Sequence, residues 1–183
     1  MWIFGYGSLI WRPDFDYVAK RVVVVHGVLR RFWQGSPDHR GTPQQPGRVV
    51  TLVDAELAEP WLAEPAQTWG VAFQIEASHV SRILDQLDDR EVAGYDRLEL
   101  EAYSPGGESV GMVMAYRAGP LNPNYLGPAP QDDMVRQILA AKGESGSNKD
   151  YLLALSDALS SLGLHDPHVA SLSAAVRNSL ARR

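Results

Sequence analysis

A short apolar run, Trp2-Ile3-Phe4, feeds straight into Gly5-Tyr6-Gly7-Ser8-Leu9. Two glycines bracketing one tyrosine let backbone N–H groups face a ligand with no Cβ in the way, which suits a cradle for an anion or an oxyanion. The same spacing describes a tight turn with Tyr6 buried. Single residues rule out the neighbouring motifs. The dinucleotide fingerprint needs glycine where Ile10 stands, a Walker A loop needs a Gly-Lys-Ser/Thr that is absent, and the nucleophile elbow fails because Tyr6 and Ile10 flank Ser8. Glu91 is a second candidate. An acid at a helix break among apolar neighbours can be desolvated, which raises its pKa and makes it a useful base. A surface ion pair with Arg90 or Arg97 is the plainer reading, and Asp88 and Asp89 compete for the role as solvated helix-end residues. The third candidate is Arg30-Arg31-Phe32-Trp33-Gln34-Gly35-Ser36-Pro37-Asp38-His39-Arg40-Gly41. It could grip the carboxylates of a small peptide through bidentate pairs, or it could be an edge strand followed by a turn.

Metal and thiol chemistry are not expected. The chain has no cysteine, and its histidines form no ligand pattern. His165 and His168 flank Asp166-Pro167, where capping or solvent exposure is expected. Nothing in the spacing supports a triad around Ser8.

Lys plus Arg is 17 and Asp plus Glu is 22, for a net charge of −5 over 183 residues. An acidic chain argues against a general nucleic-acid binder and against a polybasic membrane-surface protein. Arginine greatly outnumbers lysine, which leaves room for a local pocket that holds carboxylates by planar forks. The lack of cysteine fits a reducing compartment. The apolar N-terminus has no basic n-region and reads neither as a signal peptide nor as a membrane span. A cytoplasmic protein is expected.

The elements that must position these groups fall into two sets. Trp2 to Gly5, Arg21 to Trp33, Arg48 to Val53, Trp69 to Glu76, Asp96 to Tyr103 and Ser109 to Tyr116 are strand-like. Leu98, Leu100 and Ala102 alternate with Arg97, Glu99 and Glu101, as in a half-buried strand, and Gly106-Gly107 signals a hairpin. One helix interrupts the strands. It is capped by Ser78, carries Val80, Ile83, Leu84 and Leu87 on one face, and ends at Asp88. Three helices follow, over about 131–142 with Gly143 just past its end, 149–162, and from Asp166-Pro167 onward. The segment 55–67 reads as an exposed insertion and 118–131 as a long loop of a kind that is often functional. Strands with few helices between them predict an α+β chain, with a closed or strongly curved mixed sheet and helices packed outside it.

Taken in order, FGYGSLIW at 4–11, RRFWQGSPDHRG at 30–41, PGRVVTL at 46–52, WGVAF at 69–73, REVAGY at 90–95, NPNYLGPAP at 122–130, and Asn148 with Tyr151-Leu152 resemble the ChaC family of γ-glutamylcyclotransferases, the glutathione-specific kind. The resemblance runs from Met1 to about Leu162. It implies one domain over 1–183 with a closed mixed β-barrel and peripheral helices, no cofactor and no metal. It also implies cleavage of glutathione to 5-oxoproline and cysteinylglycine. The family's glycine-rich loop matches Ile3, Phe4, Gly5, Tyr6, Gly7, Ser8 and Leu9 and holds the γ-glutamyl group. Its catalytic glutamate matches Glu91. Tyr6, Tyr95 and Tyr125 are then candidates to line the pocket, and Arg40 is a candidate partner for a substrate carboxylate. Ala93 stands where close relatives carry glycine, and Ser147 where some carry arginine. The rival readings are a broader γ-glutamyl-amino-acid cyclotransferase, a non-catalytic γ-glutamyl-binding module, and an acyltransferase using Ser8.

Overall fold

The computed structural model describes residues 1–58, 66–90 and 94–182. Glu91 and Ala93 lie outside them, as does most of the expected insertion. Its first residues form a single helical turn, α1 (Ala55–Ala58), and its last, Gln67, begins a strand.

The chain divides into two compact units, one of residues 1–29 and 52–123, the other of residues 30–51 and 124–183. The first unit holds a closed five-stranded barrel in the order β1 (Trp2–Gly5), β5 (Gln67–Gln74), β2 (Ala19–His26), β6 (Asp96–Tyr103), β7 (Ser109–Arg117). Every pairing is antiparallel except the one that closes it, where β1 runs parallel to β7 at Ile3 and Met114. The sheet is therefore mixed, as expected. β-Branched Val22 to Val25 suit the pleat of β2. The β6–β7 turn forms at the glycine pair, where the Gly107 N–H donates to the Ser104 carbonyl at 2.9 Å. β6 exposes Arg97, Glu99 and Glu101 and turns the residues between them inward.

Arg21 to Trp33 is two strands, not one. β2 ends at His26 and β3 (Val28–Ser36) begins after Gly27, whose φ of +79° only glycine adopts without strain. β3 pairs with β4 (Gly47–Asp54) apart from the barrel, and it is buried along its whole length. In a two-stranded sheet it is an edge strand followed by a turn, as the plainer reading of the Arg30 segment had it, but a buried one.

α2 (Val80–Arg90) follows a short 3-10 turn at Ala77–His79, so Ser78 does not cap it. It runs on through Asp88 to Arg90, and its Ile83 and Leu87 pack into a cluster with Ile3, Ile75, Met114 and Tyr116. In the second unit, α3 (Gln131–Ala140), α4 (Asn148–Ser161) and α5 (Pro167–Ala181) contribute Ile138, Leu152, Leu155 and Leu172 to its core. Asp166 caps α5 by accepting the Val169 N–H at 3.0 Å, with Pro167 in the first turn. α3 stops two residues early and Gly143 is not its terminator. Ala141 is extended, and β8 (Lys142–Gly143) pairs with β9 (Gly146–Ser147). The tip of this hairpin is held by backbone bonds from Glu144 to Asp38 and from Ser145 to His39, each 3.0 Å.

Candidate functional site

β1 delivers the glycine-rich loop from the barrel wall. Ile3, Phe4, Gly5 and Tyr6 are buried, and Gly7, Ser8 and Leu9 are half-exposed. The chain can turn there because β5 leaves room. A Cβ on Gly70 would meet the Gly5 carbonyl at 2.5 Å, and one on Gly5 would meet the Leu9 side chain at 2.9 Å. A 3-10 turn starts at Ser8, closed by Ile10 N–H to the Gly7 carbonyl at 3.0 Å. Tyr6 is buried in the turn, its hydroxyl donating to the Tyr116 carbonyl at 2.6 Å.

The end of α2 lies on the same side of the barrel. Asp88 is exposed near the end of the helix, as expected, and is also engaged. It accepts from the Tyr116 hydroxyl at 2.5 Å and from the Arg97 guanidinium. The Tyr116 bond first, then Arg97, holds the Asp88 carboxyl below the usual range. Burial first, then Asp88, pushes the Tyr116 hydroxyl up to about 12. Arg97 pairs with Tyr116 across the strands and lies over its ring at 5.9 Å. Arg97 is therefore spoken for by Asp88 and Tyr116. Tyr95 packs against the same apolar cluster as Leu9. Asn122, buried at the start of the long loop, donates to the Gly94 carbonyl at 2.8 Å. The first unit thus brings together Ile3 to Leu9 and Tyr95, and its described chain stops and resumes on either side of residues 91–93.

Arg40 and Tyr125 belong to the second unit. The Arg40 guanidinium donates to the Ser145 carbonyl at 2.6 Å and lies over the Tyr151 ring at 5.5 Å. Tyr125 bridges to Gln34 of β3, and burial pushes its hydroxyl pKa up. Arg30, expected to reach for a ligand carboxylate, grips one from its own chain, Asp166, at 2.8 Å. His168 is no solvent-facing cap. Its Nε2 accepts the Phe32 N–H at 3.1 Å. Asn148, matched only as part of a motif, is fully buried and pins both backbone groups of Arg48, accepting its N–H and donating to its carbonyl at 2.7 Å each. The sequence reading missed Tyr116 altogether; it had Asp88 solvated near the helix end, as it is, but did not foresee its bond to Tyr116. The single signal for Asp88 was its place three residues before Glu91.

Among the described residues there is no group of three or more histidine, aspartate or glutamate side chains placed to hold a metal ion. No described helix is long and apolar enough to cross a membrane.

The ChaC-like protein family model matches residues 1–179, which takes in the tail beyond Leu162. Human glutathione-specific gamma-glutamylcyclotransferase 1 is 45% identical, the match covering 98% of this chain and 80% of that protein. The Schizosaccharomyces pombe glutathione-specific gamma-glutamylcyclotransferase is 36% identical over 98% of this chain and 94% of its own. The crystal structure of the yeast gamma-glutamylcyclotransferase specific to glutathione superposes with a TM-score of 0.90 at 29% identity, covering 97% of this chain and 96% of that one. With a family model matched over nearly its whole length and a barrel shared with a solved relative, the chain belongs to the ChaC-like family.

Proposed function

We infer that this chain is a γ-glutamylcyclotransferase that degrades glutathione to 5-oxoproline and cysteinylglycine. The observation that carries this reading is the full-length likeness, in sequence and in fold, to enzymes of that name. The substrate is a small molecule. The absence of cysteine supports a cytoplasmic setting, checked by fractionation.

The chemistry follows from the residues assigned by the resemblance. The substrate's α-amine has a pKa of about 8 and is mostly ammonium at neutral pH. It loses a proton to Glu91, and its nitrogen attacks the γ-carbonyl carbon of the same molecule. The ring C–N bond forms, the amide bond to cysteine breaks, the departing nitrogen takes the proton from Glu91, and the ring nitrogen's second proton follows to the leaving amine, which departs as an ammonium. No water is consumed. The nucleophile is already in the molecule, so the protein's main task is to hold the curled conformer, an orientation effect of up to roughly 7–11 kcal/mol. Charge building on the carbonyl oxygen is received by amides of the Gly7–Leu9 stretch, each donor contributing roughly 3–4 kcal/mol. Tyr6 shapes the loop from beneath, and Tyr95 and Tyr125 are assigned to the pocket wall. Arg40 is assigned to a substrate carboxylate, and Arg40→Ala with an unchanged KM removes that role.

The test is incubation with reduced glutathione and, separately, γ-Glu-Ala, with products read by mass spectrometry. Turnover of glutathione alone, abolished in folded Glu91→Gln, is the expected result. Turnover of both substrates moves the reading to the broader cyclotransferase. No 5-oxoproline from either leaves only a binding module. Loss of activity in Ser8→Ala with Glu91→Gln active points to an acyl-enzyme route.

A further inference from the structure

The geometry points to Tyr116 as a positioning residue, which ties the end of α2, and with it the glutamate that follows in the chain, to the glycine-rich loop. The inference rests on the assignment of Glu91 as the base. Tyr116 makes two tethers with two different groups. Its backbone carbonyl accepts the Tyr6 hydroxyl at 2.6 Å, and its own hydroxyl donates to Asp88 at 2.5 Å. Asp88 stands three residues before Glu91. One side chain on a barrel strand therefore references the cradle and the helix end to each other.

The packing of the ring and the half-exposed Asp88 carboxylate set the direction of the hydroxyl. The Tyr116 ring is buried among Ile3, Ile83, Leu87 and Met114. Arg97 covers it and shares the Asp88 carboxylate. A phenol donating to a carboxylate makes a charge-assisted bond, stronger and shorter than a neutral one. The raised hydroxyl and the lowered carboxyl keep donor and acceptor in these roles across neutral pH. After residues 91–93, Asn122 holds the Gly94 carbonyl. Asp88 before residues 91–93 and Gly94 after them each have a partner within the same unit. A general base works only within hydrogen-bond reach of its proton, and a misplacement of about 1 Å costs on the order of a hundredfold in rate.

The test compares Tyr116→Phe, Asp88→Ala and Asp88→Asn in the full chain, reading kcat, KM for glutathione and Tm. Tyr116→Phe keeps the packed ring and removes only the hydroxyl. It lowers kcat roughly ten- to a hundredfold and moves KM less than about twofold. Asp88→Ala does the same, and Asp88→Asn, which keeps an oxygen to accept the hydroxyl, recovers most of the rate. The double variant Tyr116→Phe/Asp88→Ala is no slower than Asp88→Ala, because both remove one bond. A wild-type kcat in Tyr116→Phe, a fall in Tm with kcat intact, or a change confined to KM overturns the inference. Glu91→Gln run alongside separates the two failures. If it is active, the base assignment falls and the inference with it. If it is inactive while Tyr116→Phe is unimpaired, only the inference falls.

Discussion

The two units solve the same problem with different parts. In the barrel, residues far apart in the chain are joined by main-chain ladders, β1 to β5 and to β7. Polar side chains are left over for placement, as in Tyr6, Tyr116 and Asp88. In the second unit, side chains of arginine and asparagine take over much of the ladder's task. Arg48 reaches the Phe32 and Gly127 carbonyls at 2.9 and 3.0 Å, Asn148 closes both backbone groups of Arg48, Arg30 holds Asp166, and Arg40 holds Ser145. The difference teaches where this chain is vulnerable. A ladder spreads its energy over many bonds, while a buried side-chain clamp concentrates it in one residue whose loss strands several groups at once.

That contrast can be broken most directly at Asn148. Asn148→Leu keeps the volume and leaves two buried backbone groups of Arg48 unpaired, at about 1–3 kcal/mol each, so chemical denaturation should show a loss of about 4 kcal/mol. A loss below about 1 kcal/mol sinks the idea that side chains replace the ladder. Asp166→Ala comes next. It removes a helix cap and a partner of Arg30, whose side chain is fully buried, and urea titration should report about 3 kcal/mol. In the barrel, Gly70→Ala drives a Cβ into the Gly5 carbonyl and costs about 1–3 kcal/mol by overpacking. Its activity loss should exceed what the stability change explains, because the strain falls on the glycine loop. The smallest expected effect is in the pH dependence of Tm. The depressed Asp88 carboxyl adds stability above the usual carboxylate pKa of about 4, lost as pH falls through its folded value. Tyr116 adds stability below the usual tyrosine pKa of about 10, lost as pH rises towards about 12. Tyr116→Phe should flatten both limbs, and a profile matching wild type at both ends breaks the account of the Tyr116–Asp88 bond.

Much of this was legible in one dimension. The alternation of Leu98, Leu100 and Ala102, the hairpin glycines, the apolar face from Val80 to Leu87 and the Asp166-Pro167 cap are local signals, and local signals report burial period and backbone preference directly. The glycines at 5 and 7 and the ordered motifs identified the family and, through it, the candidate base. Where a strand ended was less legible. Gly27 divides two strands because of a positive φ, and Gly143 pairs with Gly146 in a hairpin whose Glu144 and Ser145 N–H groups donate to the carbonyls of Asp38 and His39.

What only the tertiary structure decided was who meets whom. Composition left room for a local arginine pocket, but did not show that Arg30 spends its fork on Asp166, 136 residues away. Helix periodicity placed Asp88 at a wet helix end, but not beside the Tyr116 hydroxyl, and β7's pattern hid Tyr116 among its apolar neighbours. A sequence carries the period of burial and the chemistry of each side chain. The pairing of one side chain with another arises only when barrel closure brings β1 and β7 together, since the bond from Tyr6 to Tyr116 spans 110 residues and no local rule reaches that far.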